Sequence, residues 1–143
     1  MSYLPPELPA PAPDEDDAQF WGYCNERRLM FQQCPRCGTL VHPPLPVCPG
    51  CQSLECAWVE APAQASLFSF TWVHTAAHES VRAYLPYNVA VVEFPEMPGV
   101  RLISNVIDAE RGALRVGDSL TLAWERGWEG QMLPRFRRVQ DAT

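Results

Sequence analysis

Cys34, Cys37, Cys48 and Cys51 form two Cys-x-x-Cys pairs within "CPRCGTLVHPPLPVCPGC". A Cys-x-x-Cys turn points both sulfurs at one centre. Two such turns supply the four thiolates of a tetrahedral Zn²⁺ shell, with Zn–S about 2.3 Å and no open position. The spacing therefore predicts a structural metal site on these four residues. Gly38 permits a tight turn after the first pair, and Pro43, Pro44, Pro46 and Pro49 stiffen the link to the second. A thioredoxin-type redox centre would need one such pair in a βαβ setting, which the sequence does not offer. Iron fits the same shell chemically; an iron protein would be red as purified and a zinc protein colourless. His42 is expected to be a spacer, since four cysteines already fill the shell. Cys24 and Cys56 fall outside the spacing and are expected to be buried small hydrophobes.

Other chemistry is sparse. The sequence holds no G-x-S-x-G, phosphate-binding Gly loop or H-E-x-x-H motif. His74 and His78, with Glu79 beside them, read as a polar loop rather than a base and its orienting acid. Asp108 and Glu110 read as turn residues. No catalytic residue is assigned, which favours a binding or assembly role. "AWERGWEGQMLPRFRR" (123–138) gathers Trp124, Arg126, Trp128, Arg135 and Arg137 around one strand–loop–strand. Aromatic faces can stack on an adenine and Arg can pair with phosphates. These five residues are therefore the candidate ligand-binding set for a coenzyme A ester, against the plainer reading of core aromatics and a solvated Arg face.

The elements around these residues follow from composition and pattern. The chain has 143 residues, 15 of them proline, and a net charge of −6. Residues 1–14 are expected to be a flexible Pro-rich leader. Residues 15–28 are expected to be a helix whose start is favoured by Asp14, Glu15, Asp16 and Asp17. Its Phe20, Trp21 and Tyr23 are candidate partner-binding residues, although packing on the chain's own core is an equal reading. Residues 29–60 make the zinc ribbon between strands "RLMFQQ" and "ECAWVEA". Residues 61–143 hold five β-rich runs, at 66–74, 87–94, 100–107, 119–124 and 134–139, separated by turn signals. The fold class is mainly β: an N-terminal helix, a four-Cys zinc ribbon and a C-terminal five-stranded OB-fold barrel, with an open sandwich as the other arrangement of five strands. Beyond residue 19 the charges nearly balance, at 12 acids against 11 arginines, which argues against general nucleic-acid binding. With no long apolar run and no secretory pattern at the start, a cytoplasmic location is expected.

In order, "FWGYCNERRLMFQQC", "CPRCGTLVHPPLPVCPGC", "SFTWVH", "PYNVAVVEF", "GVRLISNVI", "LRVGDSLTLAW" and "LPRFRRV" resemble the zinc-ribbon plus OB-fold proteins grouped as domain of unknown function 35. The resemblance covers roughly residues 18–139. It implies a rubredoxin-like ribbon with Zn²⁺ on Cys34, Cys37, Cys48 and Cys51, and a helix carrying Phe20, Trp21 and Tyr23 toward a partner. It also implies a non-catalytic accessory subunit beside a thiolase-like (lipid-transfer-protein-like) enzyme of acyl-CoA and lipid metabolism. Among such enzymes are aldolases that shorten the side chain of steroid-CoA esters in steroid degradation. The chain departs from the family at "EAPAQAS", where many members have a Ser-Gly-x-Gly turn, and at the longer "FPEMPGV". Two other readings stand beside it: a free-standing acyl-CoA or nucleotide-binding module, and a single-stranded nucleic-acid-binding OB protein.

Overall fold

The structure, a computed structural model, describes residues 2–140. Its one α-helix, α1, spans Ala18–Asn25. The acidic run starts it: the Asp14 carboxylate accepts the backbone N–H groups of Asp16 and Asp17 at 2.8 and 3.1 Å. These bonds hold the Asp14 carboxyl below its ordinary value. The helix is shorter than the expected 15–28 because the chain turns away at Arg27, which takes a positive φ of 58°.

Strands β1 (Met30–Gln33), β2 (Leu40–Val41) and β3 (Ala57–Glu60) form a small antiparallel sheet in the order β2-β1-β3. Five more strands follow: β4 (Gln64–Val73), β5 (Tyr87–Glu93), β6 (Arg101–Ser104), β7 (Ser119–Arg126) and β8 (Met132–Arg138). They pair antiparallel in the order β6-β5-β4-β7-β8. A bulge between Leu67 and Ser69 bends β4. A parallel bridge from Val106 to Phe136 brings the two ends of the sheet together. The result is a curled half-barrel, not an open sandwich.

β6 stops at Ser104, short of the expected 107, because Asn105 turns in toward the barrel. Its side-chain amide donates to the Asn88 carbonyl, and its own carbonyl accepts from Phe136 N–H. Asn88 itself is fully buried and donates to Val106 O while accepting from Val106 N–H, each at 2.8 Å. β8 tolerates Pro134 because it is the outer strand of the β7–β8 ladder. The stretch Glu79–Tyr84, read as loop, is a 3₁₀ turn capped by His78.

One core joins the parts. Phe20 of α1 stacks on Phe31 of β1 at 6.5 Å, Phe31 meets Phe94 at 5.3 Å, and Phe94 meets Phe136 of β8 at 6.2 Å. Three of these rings, Phe31, Phe94 and Phe136, are at most 1% exposed. Cys24 and Leu29 belong to the same cluster as Leu67, Val92 and Leu120 of the barrel. Among the described residues no helix is long and apolar enough to cross a membrane.

Candidate metal centre and ligand groove

The two knuckles are built alike. In the first, Cys34 N–H donates to Thr39 O and Gly38 N–H to Cys34 O, both at 2.9 Å. In the second, Cys48 N–H donates to Ser53 O and Gln52 N–H to Cys48 O, at the same distance. The residue after each second cysteine takes a positive φ, 79° at Gly38 and 64° at Gln52. The knuckles face each other closely: a Cβ on Gly50 would stand 2.7 Å from Thr39 Oγ1.

This framework sets Cys34 Sγ 3.6 Å from Cys51 Sγ and Cys37 Sγ 3.5 Å from Cys48 Sγ, with all four sulfurs within 4.8 Å of one another. A tetrahedron with Zn–S of about 2.3 Å has S···S edges of about 3.8 Å, so the four thiols fit the ion. Cys34 and Cys48 are buried; Cys37 and Cys51 are exposed. Hydrogen bonds, first from the Thr39 side chain and backbone and then from Cys48, draw the Cys37 thiol down to about 6. Cys48 is also lowered, chiefly by the Cys51 backbone N–H. Both shifts favour the thiolate, the form that binds metal, whereas Cys51, though lowered by the Ser53 backbone bond, is pushed up to about 11 by burial and the neighbouring thiols. All four positions of the shell are filled by protein, so the bound ion would hold structure rather than bind substrate.

His42 stands apart from the sulfurs, with its ring 5.1 Å from Phe20 and 5.0 Å from Phe31. Its Nδ1 is buried without a hydrogen-bond partner among the described residues. Burial pushes its pKa down to about 4. Cys24 is fully buried, as its sequence context suggested, and burial raises its thiol to about 12. Cys56 is exposed instead, because it immediately precedes β3, where its thiol donates outward to Ala57 O. His78 accepts from Ser80 N–H and Glu79 pairs with Arg82 at 2.8 Å, so this stretch is a capped turn with its own partners. Asp108 accepts from Arg138 N–H at 3.2 Å.

The helix aromatics divide. Phe20 is 3% exposed and packs in the core, so the expectation that it faces a partner is corrected: it sits on the inner face, against Phe31. Trp21 and Tyr23 stay half-buried, and Tyr23 lies 5.6 Å from Trp58.

The five candidate ligand residues also divide. Residues opposite one another on paired strands share a face. The register sets Trp124 with Pro134 and Leu122 with Phe136 on one face, and Glu125, Arg135 and Arg137 on the other. Trp124 packs against the core. Arg137 is exposed. Arg126, Trp128 and Arg135 do come together, lining a groove of about 340 Å³ with Leu133.

Sequence reasoning missed what else lines that groove. Leu4, Pro5 and Leu8 of the proline-rich segment form one of its walls. Tyr3 anchors the segment: its N–H donates to Glu125 Oε1 at 2.6 Å, and its hydroxyl oxygen accepts from Asn88 N and Nδ2 at 2.7 and 2.6 Å. Glu125 in turn takes Arg135 Nε on Oε2 at 3.1 Å, both side chains being almost wholly buried. Desolvation lowers the Arg135 pKa, partly offset by Glu125. The only hint of this arrangement was a tyrosine placed ahead of a proline run.

A four-thiolate ribbon sharing one core with a five-stranded half-barrel defines a class, the zinc-ribbon/OB-fold proteins. Residues 21–55 match the family described as the ChsH2 rubredoxin-like zinc ribbon domain, and residues 58–125 the ChsH2 C-terminal OB-fold domain. The chain belongs to this ChsH2-type DUF35 family. It superposes on the structure described as the Ltp2-ChsH2(DUF35) aldolase with TM-score 0.82 and 34% identity, covering 90% of this chain and 98% of that one. A DUF35 protein of unknown function from Sulfolobus solfataricus shares the fold, at TM-score 0.59 and 20% identity, over 85% of this chain and 83% of that one. A probable enoyl-CoA hydratase alpha subunit from Thermomonospora curvata is 35% identical over 90% of this chain and 39% of its own length. The 3-oxo-4,17-pregnadiene-20-carboxyl-CoA hydratase alpha subunit of Mycobacterium tuberculosis is 29% identical over 79% of this chain and 35% of its own. The chain thus spans little more than a third of the curated relatives it matches.

Proposed function

We propose that this chain is a non-catalytic accessory subunit of a thiolase-like acyl-CoA enzyme, an aldolase that cleaves a steroid side-chain CoA ester in the retro-aldol sense. The observation that carries this reading is the likeness to the Ltp2-ChsH2 aldolase, which runs over nearly the whole of that chain. In this reading the partner subunit supplies the reacting groups. The chain supplies a rigid surface held by zinc, and the half-buried Trp21 and Tyr23 on α1 would meet the partner. The Arg126, Trp128 and Arg135 groove would take the nucleotide end of the acyl-CoA, by stacking on the indole and pairing of phosphates with guanidinium.

A second reading has its own support. The curated relatives are hydratase alpha subunits, and the part of them that this chain does not match is more than half of each. The chain would then serve a CoA-ester hydratase. A tagged pull-down from the native cells, with mass spectrometry of what stays bound, separates the two. Recovery of a thiolase-like protein, with aldol cleavage seen only in the reconstituted complex, is the expected result. Recovery of a hydratase subunit alone would replace the first reading with the second. Recovery of the chain by itself at several salt concentrations would leave only a free-standing ligand-binding module.

A further inference from the structure

The proline-rich segment lies on the barrel without joining it. Residues 2–11 form no strand with β7 or β8. Among the described residues, every hydrogen bond from this segment to the body of the chain runs through Tyr3. The remaining hold is apolar, through Leu4, Pro5 and Leu8, and only Pro5 of the segment is buried. The residues that lead on to α1, 12–16, are exposed.

What lies beneath is built for charge. The strap packs beside the Glu125–Arg135 pair, whose side chains are 11% and 13% exposed, and taking a pair out of water opposes the gain from its attraction. Lifting the strap returns that hydration, so release costs less than the apolar contacts alone suggest. Among the described residues Glu125 engages only Nε of Arg135, and the two terminal nitrogens make no hydrogen bond. Arg126 is exposed beside it, and Trp128 is 45% exposed. The strap meets the groove with neutral residues only: Glu7, its one charged residue, is exposed and does not line the groove. Its prolines keep it extended when free, so little conformational entropy favours release or opposes return. An anionic, aromatic ligand would thus replace an apolar neighbour with charges that pair with the guanidinium groups.

We propose that residues 3–11 are a displaceable strap over the Arg126–Trp128–Arg135 groove, and that the strap and the nucleotide end of an acyl-CoA exclude one another from it. This rests on the ligand reading given above for the same groove. Tyr3 is the latch: among the described residues it makes every hydrogen bond from the strap to the rest of the chain, and its partners Glu125 and Asn88 stay in place when it leaves, Asn88 being held by Val106.

The test is calorimetric titration of coenzyme A into the full chain and into its Tyr3→Ala and Tyr3→Phe variants, with hydrogen exchange read on residues 3–11. Tyr3→Ala should bind coenzyme A about tenfold tighter than the unaltered chain, a factor equal to about 1.4 kcal/mol. Tyr3→Phe, which loses only the hydroxyl, should fall between. Saturating the unaltered chain with coenzyme A should speed exchange at Tyr3 and Leu4. Equal affinity in all three chains, with exchange unchanged, would overturn the strap and leave the ligand reading standing. Weaker binding by Tyr3→Ala would also overturn it, making the segment part of the site. No binding by any of the three at millimolar coenzyme A would remove the ligand reading and the strap with it.

Discussion

Gln52 and Gly38 hold the same place in two matching knuckles, yet only one of them is glycine. A positive φ costs a residue with a Cβ about 1 kcal/mol relative to glycine. Gln52→Gly should therefore raise stability by roughly that amount, and Gly38→Ala should lower it by as much or more; thermal melts of the zinc-loaded chains check both. His42 gives a pH prediction. Unfolded, it takes a proton near pH 6.5; folded, burial delays protonation to about 4. Between those values the unfolded state binds more protons. Its contribution is thus complete above pH 6.5 and is lost as pH falls toward 4, by about 3 kcal/mol in all. Denaturant titrations from pH 7 to 4 should show this loss in the unaltered chain and a shallower one in His42→Phe, the difference isolating the imidazole from acid release of the metal. The four ligands were legible because metal geometry dictates local spacing. The fate of Phe20 was not, since which side of a short helix faces inward is decided by residues distant in the chain.

The ribbon and the barrel are separate sheets with a common interior. Phe31 sits in the middle strand of the first and against Phe94 of the second. Phe31→Ala should cost about 3–5 kcal/mol and lower the melting of both sheets in a single transition; separate unfolding of ribbon and barrel, followed by residue-resolved exchange, would contradict that coupling. Metal removal should act in the other order. A chelator, or Cys37→Ser, should first speed hydrogen exchange over residues 34–53, whose folding energy comes from the metal, and then lower the melting temperature of the whole through Phe31. The five strands of the half-barrel could be read from alternation and β-branched residues. The two-residue β2 and the 3₁₀ turn at 79–84 could not, because neither is long enough to show a period. The early end of β6 depended on Asn105 and Asn88, polar residues whose partnership appears only once the sheet has curled.

At the scale of the whole molecule, two of its parts differ. The ribbon is fixed by four sulfurs and a run of aromatic rings. The groove, which Trp21 of α1 also lines, is bordered by a segment whose described hydrogen bonds to the rest of the chain run through Tyr3. This difference suits the proposed accessory subunit, which would present a constant surface to a partner and admit a ligand. It also explains why composition was a poor guide: 15 prolines suggest looseness, but several of them stiffen the metal link and others lie against the barrel.

The place of β3 has a consequence for anyone dividing this protein. The two family matches leave a gap between residues 55 and 58, which looks like a natural point to cut. β3 starts at Ala57 and runs to Glu60, and it pairs with β1 along the whole length of that strand, Met30 to Glu60 through Gln33 to Ala57. A ribbon severed at 56 would keep its four cysteines and lose one flank of its sheet. The bare edge of β1, with the Phe31 ring uncovered beside it, is a template for a neighbouring chain. Such a fragment should bind zinc and yet form aggregates, whereas one extended past Glu60 would keep the edge paired.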